Sequence, residues 1–218
     1  HNGRRRQRQM CIRDRAKTYT PSGIIELHDK KSDWLHREVK ESIAYPWEGL
    51  NKKLYGMRKG ELVTLTGGTG LGKSSVTREL EHHLIKNTKD NVGIVALEEN
   101  WVRTADGIVS IEANDRLYLT EKRKNYSDEE LNAFFDKAIQ KGRVFIHAHL
   151  GATDIDEIFS KLRYIIVGCE CDWVVVDHLH MLVNVLTEGD ERRGIDMLMN
   201  RPVSYTHLRA HETNADRV

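Results

Sequence analysis

Short apolar runs rich in β-branched residues alternate with amphipathic stretches along the middle of the chain. Four such runs predict strands, over residues 61–66, 92–97, 144–148 and 173–176. Between them, the spacing of apolar positions predicts helices over residues 73–87, 101–113 and 155–168, and a further helix that opens at Ser127. Strands that are apolar throughout are buried on both faces, as in parallel sheets. The pattern therefore predicts an α/β fold, with a mostly parallel sheet flanked by helices.

Local signals predict where several of these elements begin and end. Ser127 and Glu130 have the spacing of a capping box, and Gly142 is expected to end the helix that follows. The apolar stripe of that helix predicts five buried side chains: Leu131, Phe134, Phe135, Ala138 and Ile139. The sequence thus predicts both the start of this helix and the face that it buries.

The segment before the first predicted strand gives a weaker signal. Residues 23–45 have loosely helical spacing, which fits a linker helix packed on a neighbour or an N-terminal helix of the same domain. Pro46 interrupts this spacing, and Gly49, Gly56 and Gly60 predict turns before residue 61. Both readings of the segment stay open.

Composition excludes several protein classes. The chain has 39% apolar residues, a mean hydropathy of −0.57 and no apolar run near the length of a membrane span, about 18 residues. Its three cysteines and the lack of a signal-peptide pattern give no disulfide framework. We therefore expect a protein without a membrane partner, in the reducing cytoplasm.

The two ends of the chain resemble translated transposon-type sequencing adapter. Met10 to Asp14 can be encoded as ATGTGTATAAGAGAC, and the reverse complement of that sequence encodes Val-Ser-Tyr-Thr-His, which is residues 203–207. Residues 1–15 also hold six arginines and one aspartate, so an Arg-rich nucleic-acid arm is the alternative. We expect residues 1–15 and 202–218 to be non-native.

The remaining residues then divide into two parts. We expect a linker or helix over residues 16–45 and a partial ATPase domain over residues 46–201, incomplete on its C-terminal side. The whole chain has 34 basic and 33 acidic residues, and without its two ends it carries a net charge of −4. That balance argues against broad binding of duplex nucleic acid, although a local channel for single-stranded DNA remains compatible with it.

A phosphate-binding loop follows the first predicted strand. Residues 67–74 read GGTGLGKS and fit the pattern G-x-x-x-x-G-K-[ST] between a strand and a helix. Glycines let such a loop curl its N–H groups around phosphates, and the helix that follows adds its positive dipole end. The sequence thus predicts a nucleotide site formed by Gly67, Gly68, Thr69, Gly70, Leu71, Gly72, Lys73, Ser74 and Ser75.

Three side chains in or after predicted elements have the chemistry that phosphoryl transfer needs. Lys73 is expected to reach the β- and γ-phosphates, and the Ser74 hydroxyl to ligate Mg²⁺ with help from Asp177, which ends an apolar strand. A helix cap is the alternative role for Asp177. These assignments predict ATP or another NTP, with Mg²⁺, as the cofactors.

Glu98 follows the predicted strand over residues 92–97, which we expect beside the strand of the phosphate-binding loop. There it could act as the base that polarises the attacking water, with Glu99 solvated or supporting it. Two surface carboxylates at a helix start are the alternative. We predict no other metal, since His82, His83, His147 and His149 lack partners at ligand spacing, and no redox role for Cys169 and Cys171.

These motifs together resemble the RecA-like P-loop ATPase core of DnaB-type ring helicases, in particular the phage primase-helicase and Twinkle branch. The resemblance runs from about Tyr45 to Asn200 and includes YPWEGLNKKLYGMRKGELVTLTG, GGTGLGKSS, VGIVALEEN, CDWVVVDHLHMLV and GDERRGIDMLMN. In such motors a γ-phosphate sensor, DNA loops and an arginine finger follow the second acid, but here adapter-like residues come soon after Met199.

The resemblance implies the ATPase core of a replicative DNA helicase that works as a hexameric ring on single-stranded DNA, in a phage-infected or bacterial cell. By this resemblance, Lys73 binds phosphate, Ser74 ligates magnesium, Glu98 is the base and Asp177 belongs to the metal shell. His178 matches the family's residue that follows Asp177, and we derive no role for it. We expect the 218-residue chain itself to be inactive. The alternatives are a RecA-like recombinase or clock-type ATPase, and a nucleotide-binding fragment without hydrolysis.

Overall fold

A computed structural model describes residues 24–147 and 155–178. The chain divides between Lys40 and Glu41 into two compact units. In the described part of the first unit, a 3₁₀ turn over Leu27–Lys30 leads into the short helix α1, Lys31–Leu35. The large apolar side chains of this segment are exposed: Ile24, Ile25, Leu27, Trp34, Leu35 and Val39.

The second unit alternates helices and strands, as the sequence predicts. Its described elements are α2 (Glu48–Leu54), α3 (Lys73–Asn87), β1 (Asn91–Ala96), α4 (Trp101–Ala113), α5 (Thr120–Arg123), α6 (Asp128–Ala138), β2 (Val144–His147), α7 (Ile155–Arg163) and β3 (Cys171–Asp177). None of the described helices has the length and apolar character needed to cross a bilayer.

Most predicted boundaries are confirmed to within two residues. Helices α3 and α4 begin and end where the sequence predicts. The capping box of α6 is formed, because the Ser127 side chain accepts from the Glu130 N–H while the Glu130 carboxylate accepts from the Ser127 N–H. Helix α7 continues as a π-helical turn over Tyr164–Gly168, so the helical segment reaches residue 168 as predicted.

The three described strands form one parallel sheet in the order β2-β1-β3. In register, Val95 lies opposite His147 on β2 and opposite Val176 on β3. The central strand β1 is buried from Val92 to Ala96, and both of its edges are hydrogen-bonded. The predicted parallel sheet is confirmed.

Helices cover both faces of β1. Val92 and Ile94 pack with apolar side chains of α3, α4 and α6, whereas Val95 packs with α7 and the π-helical turn. This alternation follows from the two-residue period of a strand. Gly93 lies on the same face of β1 as Val95. A Cβ built on Gly93 would lie 2.2 Å from Cγ2 of Ile165, so only glycine permits this close approach of the π-helical turn.

The predicted strand over residues 61–66 is wrong. These residues belong to no helix or strand, and Leu62, Val63 and Leu65 are about half exposed. A strand needs a hydrogen-bonding neighbour, and β1, expected beside this segment, is already paired on both edges by β2 and β3. High β-propensity therefore does not produce a strand here, because propensity mainly reflects packing against neighbours.

Two smaller predictions are also wrong. Phe135 is 42% exposed, because it lies at the edge of an α6 stripe that is centred on Ala138 and Leu131. Gly49 lies inside α2 rather than in a turn, whereas Gly56 and Gly60 have the positive φ angles of turn glycines. Ala148 and His149 lie outside the described residues.

Candidate functional site

The phosphate-binding loop is an exposed segment that leads into α3. Gly70 and Gly72 have φ angles of +77° and +84°, in the left-handed region that favours glycine. The carbonyl of Gly72 accepts from the N–H groups of Ser75 and Val76, at 3.0 and 3.1 Å, so the helix starts directly at the loop. Loop conformation and helix start thus have the form of an anion-binding site.

Lys73 folds back over this loop. Its Nζ donates to the carbonyls of Gly67 and Gly68, each at 2.9 Å, which holds the ammonium group at the mouth of the loop. Ser74 is half-buried next to it, whereas Ser75 is exposed, as are Thr69 and Leu71. The structure therefore brings the predicted lysine and hydroxyl to the same end of α3 and leaves Ser75 at the surface.

Two acids lie at the carboxyl ends of neighbouring strands. Asp177 is the last residue of β3 and pairs in register with Ala96, the last residue of β1, and Glu98 follows two residues later. The N–H of Leu97 donates to the Asp177 carbonyl at 3.4 Å and continues the pairing up to Glu98. Carboxyl ends of parallel strands share one edge of the sheet, where ligands of open α/β sheets bind.

One argument for Glu98 needs correction. We expected the Glu98 strand to neighbour the strand of the phosphate-binding loop, but β1 lies between β2 and β3 and residues 61–66 form no strand. The link to the loop is made instead by α3, which packs against β1 and β3. Glu98 thus lies at this edge because it follows β1, and the loop is connected to the same part of the sheet through α3 rather than through a neighbouring loop strand.

An ion pair between α3 and the end of β1 fixes this arrangement. Arg78 on α3 donates to Oε2 of Glu99 at 2.5 Å, and the Thr104 hydroxyl donates to Oε1 at 2.9 Å. A Cβ on Gly107 would lie 2.3 Å from Cδ of Arg78, so this glycine gives the arginine room to pass α4. Glu99 is thus bound between two helices, with its side chain 17% exposed, rather than solvated.

Glu81 is a buried carboxyl two turns along α3 from the loop. It is 2% exposed, and its Oε2 has no hydrogen-bond partner among the described residues. Burial and, to a smaller extent, the charge of Asp177 raise the pKa of Glu81 from 4.5 to about 8, with a minor contribution from Glu99 and with Arg78 opposing the increase. The side chain is therefore mainly protonated at neutral pH.

His178 lies between the two acids at the sheet edge. Its Nε2 is 3.2 Å from Oε2 of Glu98, and its Nδ1 is 3.7 Å from Oδ1 of Asp177. No sequence spacing indicates this contact, because the two strands are separated by about 80 residues and meet only through the sheet. Sequence reasoning likewise gives no role to Arg78, whose partner lies on another element.

His82 and His83, both on α3, make structural contacts. Nε2 of His82 lies 3.0 Å from Glu112, which also pairs with Lys86, and Nε2 of His83 lies 2.7 Å from the Ala44 carbonyl. Among the described residues, no three His, Cys, Asp or Glu side chains are arranged to hold a metal ion. The donor set suited to Mg²⁺ is a hydroxyl and a carboxylate, from Ser74 and Asp177, which would hold an ion that also binds phosphate.

Comparison with known proteins identifies the family of this chain. Residues 43–198, well over half of it, match the DnaB-like helicase C terminal domain family. The chain belongs to this family. A DNA helicase/primase of Enterobacteria phage T3 is 27% identical over 192 residues, which cover 85% of this chain and 34% of that protein. The resemblance seen in the sequence motifs is therefore confirmed, and the chain spans about a third of the length of this helicase/primase.

A solved structure agrees in fold. The KaiC-like protein PH0186 of Pyrococcus horikoshii OT3 superposes with a TM-score of 0.51 at 16% identity, over 75% of this chain and 66% of that one. At this identity the similarity concerns the fold alone. Together with the parallel sheet and its flanking helices, it confirms the RecA-like fold class.

Proposed function

We propose that this DnaB-like domain is the ATPase core of a replicative DNA helicase, which couples NTP hydrolysis to movement along single-stranded DNA and unwinding of the duplex. The observation that carries the proposal is that α3, which begins at the phosphate-binding loop, packs against β1 and β3, whose carboxyl ends lead to Glu98 and carry Asp177. Membership of the DnaB-like family and similarity to a phage helicase/primase support it.

Each residue of the site has a separate role in this proposal. The loop N–H groups and Lys73 hold the β- and γ-phosphates, while Ser74 and Asp177 hold Mg²⁺. When bound, Mg²⁺ neutralises charge on the phosphates. Glu98 accepts a proton from the attacking water, whose oxygen bonds to the γ-phosphorus as the bond to the β-phosphate oxygen breaks. Glu98 suits this role because its carboxylate is 38% exposed and can meet water.

We further propose that residues 16–201 belong to a longer protein that forms a hexameric ring around single-stranded DNA in a phage-infected or bacterial cell. The overlap with only 34% of the phage helicase/primase supports a longer parent, and the coding complementarity of residues 10–14 and 203–207 supports non-native ends. Residues 1–15 and 202–218 lie outside the described residues. In this view the 218-residue chain alone lacks helicase activity.

Two alternatives remain testable. A RecA-like recombinase or clock-type ATPase shares the fold, but the family match names a helicase domain and the KaiC-like similarity is one of fold only. Passage of single-stranded DNA through a closed ring, rather than coating by an open filament, distinguishes the helicase. A fragment that binds nucleotide without hydrolysing it would not need a carboxylate at position 98, so the presence of Glu98 favours hydrolysis.

The test is Glu98→Gln in the longer protein that carries the 16–201 core. We expect unchanged affinity for ATP and Mg²⁺ by isothermal titration, but hydrolysis slower by about 10² to 10⁴, because the positioned base is lost. Glu121→Gln, a change at an exposed position on α5, is the matched control and should keep the parental rate. A Glu98→Gln protein that hydrolyses ATP at the parental rate would refute the assignment of the base.

A further inference from the structure

We propose that His178 is a positioning residue that holds the Glu98 carboxylate in the orientation needed to take a proton from water. This inference deepens the proposed ATPase function and rests on it. It assigns a role to a side chain that the sequence motifs leave without one, and its basis is the contact between the ends of β1 and β3.

The chemistry of the two groups determines which of them donates in this contact. Nε2 of His178 lies 3.2 Å from Oε2 of Glu98, within hydrogen-bond distance. An ionised carboxylate only accepts hydrogen bonds, so the imidazole must carry a proton on Nε2 to make this contact favourable. The contact restricts rotation of a side chain that lies beyond the end of its strand.

The other side of His178 is anchored at Asp177. The His178 backbone N–H donates to Oδ1 of Asp177 at 3.0 Å, and Nδ1 lies 3.7 Å from the same oxygen. One imidazole therefore spans the acid proposed for the metal shell and the acid proposed as the base. Movement of either strand end would change the distance between Nε2 and Glu98.

The backbone of His178 supports a functional role. Its φ angle is +69°, in the left-handed region that residues other than glycine rarely adopt, although asparagine, aspartate and histidine adopt it more often than the rest. Residues other than glycine in this region are often found at functional sites, where the surrounding structure holds them. At His178 this conformation directs the residue after β3 back towards the end of β1, where Glu98 lies.

The competing explanation is that His178 only links the ends of β1 and β3 and does not orient the Glu98 carboxylate. Substitutions that place a polar group at different distances from the backbone distinguish the two explanations. His178→Gln keeps an N–H donor at about the reach of Nε2, whereas His178→Asn keeps a polar group only at the reach of Nδ1. Asparagine also tolerates a positive φ, so His178→Asn should fold at least as well as His178→Gln.

The experiment is steady-state ATP hydrolysis by the longer protein, with nucleotide affinity and thermal midpoint measured for each variant. We expect His178→Asn to lower kcat by about 10- to 100-fold at unchanged KM and nucleotide affinity, as loss of an orienting partner does. His178→Gln should restore most of kcat. In a Glu98→Gln background, His178→Asn should cause no further loss, because its effect acts through Glu98.

The outcomes separate this inference from the proposed function. Parental kcat in His178→Asn, or the same fold loss with Glu98 already replaced, would overturn the positioning role and leave the base assignment intact. Parental kcat in Glu98→Gln would overturn the base assignment itself, and the inference with it.

A second readout needs only the 218-residue chain. Histidine-selective ¹⁵N NMR should show His178 with a protonated Nε2, its signal identified by its loss in His178→Asn. Glu98→Gln should shift that signal, whereas Glu99→Gln, at an acid held by Arg78 and Thr104, should leave it in place. A His178 signal insensitive to Glu98→Gln would contradict the contact.

Discussion

Replacing Glu81 with glutamine should stabilise the protein at alkaline pH. The carboxyl lies within α3, two turns from the phosphate-binding loop, is 2% exposed, and has a pKa raised to about 8, first by burial and then by Asp177. Glutamine has nearly the same shape and cannot ionise. The substitution therefore removes a buried charge with little change in packing.

The magnitude follows from the two pKa values of this carboxyl. The folded state binds the Glu81 proton more tightly than the unfolded state, in which the pKa is 4.5, so ionisation lowers the free energy of unfolding as pH rises from about 4.5 to 8. At about 1.4 kcal/mol per pH unit, the full cost above pH 8 is about 5 kcal/mol. Glu81→Gln should lie within about 1 kcal/mol of the parent at pH 5 and exceed its stability by about 5 kcal/mol at pH 9.

Urea denaturation followed by circular dichroism at pH 5, 7 and 9 measures this difference. Glu121→Gln removes an exposed carboxylate, and its stability should follow that of the parent at all three pH values. Parallel stability profiles for Glu81→Gln and the parent would refute the reasoning, because they would mean that Glu81 ionises equally easily in both states.

Two further predictions concern packing and chain ends. Gly93→Ala should lower the free energy of unfolding, measured by thermal denaturation, by about 1–3 kcal/mol, because its Cβ would lie 2.2 Å from Ile165. The control is Gly49→Ala in α2, which has open space around it and should be neutral or stabilising. Equal stability of the two variants would contradict the close approach. Removing residues 1–15 and 202–218 should not lower soluble yield or thermal midpoint. Strong DNA-stimulated ATPase activity in the full chain that is lost when these residues are removed would refute two proposals: that the chain is part of a longer protein, and that its ends are non-native.

The sequence predicts those elements whose signals are local. Helix α3 starts at the glycine-rich loop, and α6 starts at a capping box formed within four residues, so both starts can be read directly from the chain. The strand predicted over residues 61–66 fails because its formation depends on a neighbour rather than on its own residues. Strand pairing is a long-range property that local propensity does not encode.

The same distinction holds for the candidate site. Lys73, Ser74, Asp177 and Glu98 are identifiable because each lies in or beside a motif at a fixed distance from a predicted element. The contact of His178 with Glu98 and the ion pair between Arg78 and Glu99 join elements far apart in the chain, so they appear only once β1 is paired with β3 and covered by α3. The burial of Glu81 likewise depends on which face of α3 meets the sheet.

The measurement that tests the central claim most directly is isothermal titration of ATP, with and without Mg²⁺, into the longer protein and its Lys73→Ala variant. The loop conformation and the position of Nζ above the Gly67 and Gly68 carbonyls predict that the parent binds ATP more tightly with Mg²⁺, and that Lys73→Ala loses binding or turnover. Unchanged affinity together with unchanged turnover in Lys73→Ala would contradict a nucleotide site at this loop.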